Sequence, residues 1–133
     1  MSMNLSGLHP GLRPAAEWCL KAAALNGIPV TITSVVRGWA EQTRLRQQYE
    51  GCLTRGTTIS PDSSDARCHF PANAPGDSAH NYGLAWDAWV PPEHRANWKY
   101  IRELVGFRVP ENDFVHAELP DWRNYKSFVK PYS

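Results

Sequence analysis

The feature that most constrains this chain is a break in its hydrophobic patterning over residues 51–77. There the sequence reads CLTRGTTISPDSSDARCHFPANAPGD after Gly51, rich in Gly, Pro, Ser and Asp and without a sustained period. Such a stretch reads as a long loop with room for one short strand. Long structureless loops are uncommon inside compact domains and are often functional. The break leaves two blocks of regular structure, one on each side.

In the first block, Leu12, Ala16, Cys19, Leu20 and Ala23 recur at helical spacing. Pro14 suits the first turn of that helix, and Asn26-Gly27 ends it. Residues 28–36 are β-branched and predict a strand with Val30, Ile32 and Val36 on one face. Trp39 to Glu50 predicts a second helix, stopped by Gly51. In the second block, Leu84 to Val90 predicts a strand whose Ala85, Asp87 and Trp89 share a face. Pro91-Pro92 then opens a helix to about Val105, with Trp98, Ile101 and Val105 buried. Phe114 to Leu119 predicts a last strand, with Phe114, His116 and Glu118 on one face. The order predicts an α+β fold: a small, mainly antiparallel sheet packed with about three helices. At 133 residues, with no internal repeat or linker, one domain over 1–133 is expected.

Composition narrows the function. The chain is 42% hydrophobic, enough for a packed core. Its 14 basic and 13 acidic residues give a net charge of +1, with no electrostatic footprint for nucleic acid or a membrane surface. No apolar run approaches the roughly 20 residues of a membrane span. The start, MSMNLSGLHPGLRPAAEW, shows no cationic stretch leading into an apolar one, so a cytoplasmic product is expected. Three cysteines are an odd set. Cys19 sits in an apolar helical stretch as a small hydrophobe. Cys52 and Cys68 flank one loop; they can pair under oxidising conditions, or ligate metal with His69.

The most informative stretch is Ser78-Ala79-His80-Asn81-Tyr82-Gly83-Leu84-Ala85-Trp86-Asp87. His80 lies at the end of the loop, and Gly83 lets the chain turn before the strand that bears Asp87. Imidazole and carboxylate are both good zinc ligands, and His116 on another strand offers a third. Three protein ligands leave one position open, as catalytic zinc sites do. The same donor set suits several other first-row ions.

SAHNYGLAWD resembles the SxHxxGxAxD signature of the M15 family of zinc metallopeptidases. That family includes D-alanyl-D-alanine carboxypeptidases and phage L-alanyl-D-glutamate endopeptidases, with the small Hedgehog/DD-peptidase fold. Asp113-Phe114-Val115-His116-Ala117-Glu118 is similar to its second signature, and ITSVVRGWAEQ to its strand ending in Arg with a following helical Gln. The resemblance runs from about Leu12 to Leu119. It implies His80, Asp87 and His116 as Zn²⁺ ligands and Asp113 as general base. It also implies Arg37 as a cation for the oxyanion or a substrate carboxylate. Ser78 and Gln42 would orient substrate or ligands. Glu118 would be an alternative base or a group steering His116. Several branches carry Glu where Asp113 stands; the phage-type branch carries Asp. Residues 106–112 are shorter than the aromatic, Gly-rich approach common before the second signature.

By resemblance the substrate is a peptidoglycan stem peptide, and the expected activity is an L-alanyl-D-glutamate endopeptidase of phage endolysin type. Such an enzyme would be a monomer that accumulates in the cytoplasm and reaches the wall after a holin opens the membrane. The alternatives are a D-alanyl-D-alanine carboxypeptidase or dipeptidase and, further off, a zinc-holding binding module without catalysis.

Overall fold

The computed structural model describes residues 4–126. Helix α1 (Arg13–Leu25) carries a proline in its first turn and ends at Asn26, with Gly27 at φ 68°. Strand β1 (Thr31–Ser34) follows, and then helix α2 (Trp39–Arg55). Past the long segment come strand β2 (Ala85–Trp89), helix α3 (Arg95–Leu104), strand β3 (His116–Glu118) and a short helix α4 (Trp122–Tyr125). The strands form one antiparallel sheet in the order β1-β2-β3. This is the expected α+β architecture, with α4 added beyond the elements predicted.

Three expectations need correction. Gly51 does not stop α2. The helix runs on to Arg55 and ends at Gly56, which adopts the left-handed conformation at φ 71°. A mid-helix glycine costs only about 0.5–1 kcal/mol. Burial of Cys52 one residue later and the favourable cap at Gly56 outweigh it. Val36 is not the inward residue after Ile32; Val35 is, at 2% exposure. An irregularity between Ile32 and Ser34 shifts the strand's alternation there. Past the end of α2, residues 57–77 contain no strand; their regular piece is a single 3-10 turn, Ala66–Cys68.

Cys52 and Cys68 form a disulfide, so neither is free to bind metal with His69. His69 instead engages the Ser63 carbonyl at 2.8 Å. Cys19 is a buried free thiol, as its apolar setting suggested.

The core lies between the sheet, α1 and α3. Trp86 packs edge-on against Trp98 and Phe107, with ring centroids 5.8 and 5.7 Å away. Arg102 is fully buried in this core. Its guanidinium lies over Trp98 and donates to the carbonyls of Trp98, Phe114 and Val115. Burial lowers its pKa to about 10, which leaves it charged at neutral pH. A cation inside α3 thus fixes the backbone between Asp113 and His116.

Candidate metal centre

The sheet register sets the site. Asp87 on β2 stands opposite His116 on β3, and Ala85 opposite Glu118. His80 comes from the 3-10 turn Ala79–Tyr82 just before β2. Ser78 caps that turn, its hydroxyl accepting from the His80 amide, and Gly83 closes it at φ 70°. The fully buried Asn81 donates to the Arg37 carbonyl and accepts from the Gly76 amide, which ties the turn to its surroundings.

These elements bring three ligand atoms together. His80 Nε2 lies 3.0 Å from Asp87 Oδ1 and 3.2 Å from His116 Nδ1, and the last two are 3.1 Å apart. A tetrahedral ion with bonds of about 2.0–2.1 Å needs ligand atoms roughly 3.3 Å apart. The triangle has the right size for such an ion.

The outer atoms also fit. His80 Nδ1 is 2.8 Å from the Val35 carbonyl, so this nitrogen carries the proton and leaves Nε2 free to ligate. His116 Nε2 donates to Glu118 Oε1 at 2.6 Å, leaving Nδ1 free. Asp87 Oδ2 accepts from Arg37 at 3.1 Å. Every ligand is therefore oriented by a partner on its far side, as metal-binding imidazoles and carboxylates are.

The charges are interlocked in the metal-free site. Burial alone would raise Asp87, but the two histidines hold it well below the usual carboxylate range. Burial pushes His80 down despite Asp87. Burial would lower His116 too; hydrogen bonds to Asp87 and Glu118 outweigh this and push it up to about 10. Glu118 is raised by burial and lowered more strongly by His116 and Arg108, so it stays ionised.

Asp113 lines the same cleft. Its Oδ1 is buried and has no hydrogen-bond partner among the described residues. Burial, with the charge of Asp87, raises its pKa to about 7. Glu118 has both oxygens engaged, Oε1 by His116 and Oε2 by Arg108 at 3.2 Å. Of the two carboxylates, Glu118 is committed to His116 and Arg108, whereas Asp113 keeps an oxygen without a partner among the described residues.

Arg37 reaches the site but is not free. It is 13% exposed and donates to Asp87, Gln42 Oε1 and Ser34 Oγ. Gln42 is buried, and its amide donates to the Asn73 carbonyl at 2.7 Å. It braces Arg37 and the segment facing the metal ligands.

The cleft has a volume of about 410 Å³. Its lining includes the three candidate ligands, Arg67, His69 and Phe70 of the long segment, and Arg108 and Trp122. None of the last five was singled out for the site from the sequence. The signal of residues 66–70 was hidden in a segment without period. Trp122 lies in a one-turn helix too short to show periodicity.

No family model matches the sequence, and no curated protein does. Solved structures do match. One is the vancomycin-resistance D,D-pentapeptidase VanY in complex with Zn(II): 18% identity over 90% of this chain and 78% of that one, with a TM-score of 0.64. Another is the LD-carboxypeptidase LdcB: 21% identity, 96% and 76% coverage, TM-score 0.60. A third is the L-Ala D-Glu endopeptidase ChiX of Serratia marcescens: 17% identity, 92% and 87% coverage, TM-score 0.56. The chain has the DD-peptidase fold. The resemblance read from SAHNYGLAWD therefore holds at the level of architecture. The DD-peptidase fold here carries its histidines and aspartate on β2, β3 and the turn before β2.

Proposed function

We propose that this protein is a zinc-dependent hydrolase of peptide bonds in peptidoglycan stem peptides, most specifically an L-alanyl-D-glutamate endopeptidase of endolysin type. The observation that carries the reading is Asp113, a carboxylate that lines the cleft beside a possible three-ligand metal cluster and whose buried Oδ1 has no partner among the described residues. The similarity of fold to VanY, LdcB and ChiX supports the substrate class.

Zinc held by His80, Asp87 and His116 would supply Lewis acidity, activating water at neutral pH and withdrawing charge from the scissile carbonyl. Asp113 takes the proton of the attacking water and returns it to the leaving amine. Glu118 holds the His116 ring in its ligating orientation. Arg37 steadies Asp87 and contributes a fixed positive charge to the developing oxyanion. Ser78 and Gln42 keep His80 and Arg37 in place.

Arg37 does not separate the endopeptidase from the carboxypeptidase: it is engaged by Gln42, Ser34 and Asp87, and Arg108 brings a further cation to the same cleft. The Cys52–Cys68 disulfide suits work in an oxidising compartment, consistent with a protein that acts on the wall after leaving the cytoplasm.

The test is digestion of isolated peptidoglycan by zinc-loaded protein, with product termini read by mass spectrometry. New N-terminal D-glutamate, lost with chelator and restored by zinc, is the expected result. Release of free D-alanine would replace the endopeptidase with the carboxypeptidase reading. No cleavage by folded, zinc-loaded protein would overturn both.

A further inference from the structure

Four arginines line the cleft, and they differ in what their donors are doing. Arg37 is engaged by Asp87, Gln42 and Ser34. Arg67 uses Nε and Nη2 on Asp65. Arg123 donates to Asp77 and lies over the Trp122 ring, 4.4 Å from its centroid. Arg108, like Arg123, donates through one nitrogen, Nη1 to Glu118 Oε2, and its side chain is 59% exposed; it differs from Arg123 in that its partner Glu118 also holds His116. Among the described residues its Nε and Nη2 have no partner.

The backbone of Arg108 is fixed even so. It pairs with Glu118 through two hydrogen bonds, Arg108 N to Glu118 O at 2.8 Å and Glu118 N to Arg108 O at 3.0 Å. Glu118 in turn holds His116. An anchored arginine with a half-free fork therefore stands one carboxylate away from a metal ligand. A guanidinium fork with two free donors is matched to a carboxylate.

We infer that Arg108 is a specificity-determining residue that binds a substrate carboxylate next to the scissile bond. The inference rests on the proposed function and names the group: the free α-carboxylate of the γ-linked D-glutamate. In an L-alanyl-D-glutamate substrate that carboxylate sits on the carbon bearing the leaving nitrogen. It must therefore lie beside the metal cluster when the bond is cut. Amidation of the carboxylate removes its charge and one acceptor while leaving the scissile bond intact.

The test crosses two peptides with three proteins. The peptides are a synthetic stem peptide with γ-D-glutamate and the same peptide with its α-carboxylate amidated. The proteins are zinc-loaded wild type, Arg108→Gln and Arg108→Lys. Wild type is expected to cleave the acid with a kcat/KM about ten- to a hundredfold above the amide, chiefly through KM, as fits a charged hydrogen bond. Arg108→Gln should treat the two peptides alike, and Arg108→Lys should restore part of the preference. A role confined to bracing Glu118 would lower both peptides equally and weaken zinc binding. That result, or a wild type indifferent to amidation, overturns the inference while leaving the hydrolase intact. If wild type cleaves neither peptide, the proposed function falls and this inference with it.

Discussion

The two sides of the cleft are built on different principles. On the metal side, each ligand is set by a strand register or a capped turn and held from behind by a second group. On the facing side, residues 57–77 contribute a single buried residue, Cys68. That side is held by the disulfide to α2 and by a few hydrogen bonds, such as Gln42 to Asn73 and Arg46 to Ala72. The difference separates chemistry from selection. The metal side must hold three atoms within tenths of an ångström. The facing side only has to present a surface to a peptide, and loops carry such surfaces well.

The largest break in this contrast should come from Asp87→Ala. It removes a ligand and leaves Arg37 without its carboxylate. Equilibrium zinc titration should show at least a thousandfold loss of affinity, roughly the order expected when one of three protein ligands goes. Glu118→Gln should cost less, about ten- to a hundredfold in zinc affinity, because it only frees the His116 ring. An unchanged affinity would mean that Glu118 does not steer the ligand.

The pH dependence sharpens the same point. In the metal-free protein His116 is protonated until about pH 10. Zinc must displace that proton from Nδ1, so affinity should rise with pH, up to about tenfold per unit between pH 6.5 and 9. Calorimetry in buffers of different ionisation enthalpy should count close to one proton released. The stability of the metal-free fold should move the opposite way. A histidine raised on folding contributes fully below about pH 6.5, and the contribution is lost as pH climbs to about 10.

The facing side should respond to a different lever. Reduction of Cys52–Cys68, or Cys68→Ala, opens a loop with a sequence separation of 16. A loop of that size predicts about 3 kcal/mol of lost stability. Zinc affinity should change less than about twofold, while KM for a stem peptide rises several-fold. Loss of zinc on reduction would show that the two sides are not separable.

How far the sequence reached follows the same division. Two of the three candidate ligands, His80 and Asp87, have a local signal: a histidine, a turn glycine and a strand aspartate within ten residues; His116 was reached only through the second motif, 36 residues beyond His80. The arrangement of the outer atoms was not legible. Arg102 carries a charge inside a helix and reads as a surface residue. Its burial depends on the carbonyls of Phe114 and Val115, on a segment it meets only in the fold. Gln42 stood out only through the resemblance, as a group that orients substrate or ligands; its partners Arg37 and Asn73 meet it only in the fold. Val35 replaced Val36 because a strand irregularity leaves no mark in the alternation of residue types. The facing side was legible only as an absence of period, with the Cys52–Cys68 pairing one of two open readings.

The most direct test of the central claim pairs the wild type with Asp113→Ala, each loaded with zinc, each digested against the same peptidoglycan and each assayed for bound metal. One zinc per chain in both proteins, with new D-glutamate termini from the wild type and a hydrolysis rate lower by about a hundred- to ten-thousandfold in the variant, is the predicted result. Hydrolysis by Asp113→Ala at the wild-type rate would contradict the assignment of the base, and a wild type that retains no zinc would contradict the metal centre itself.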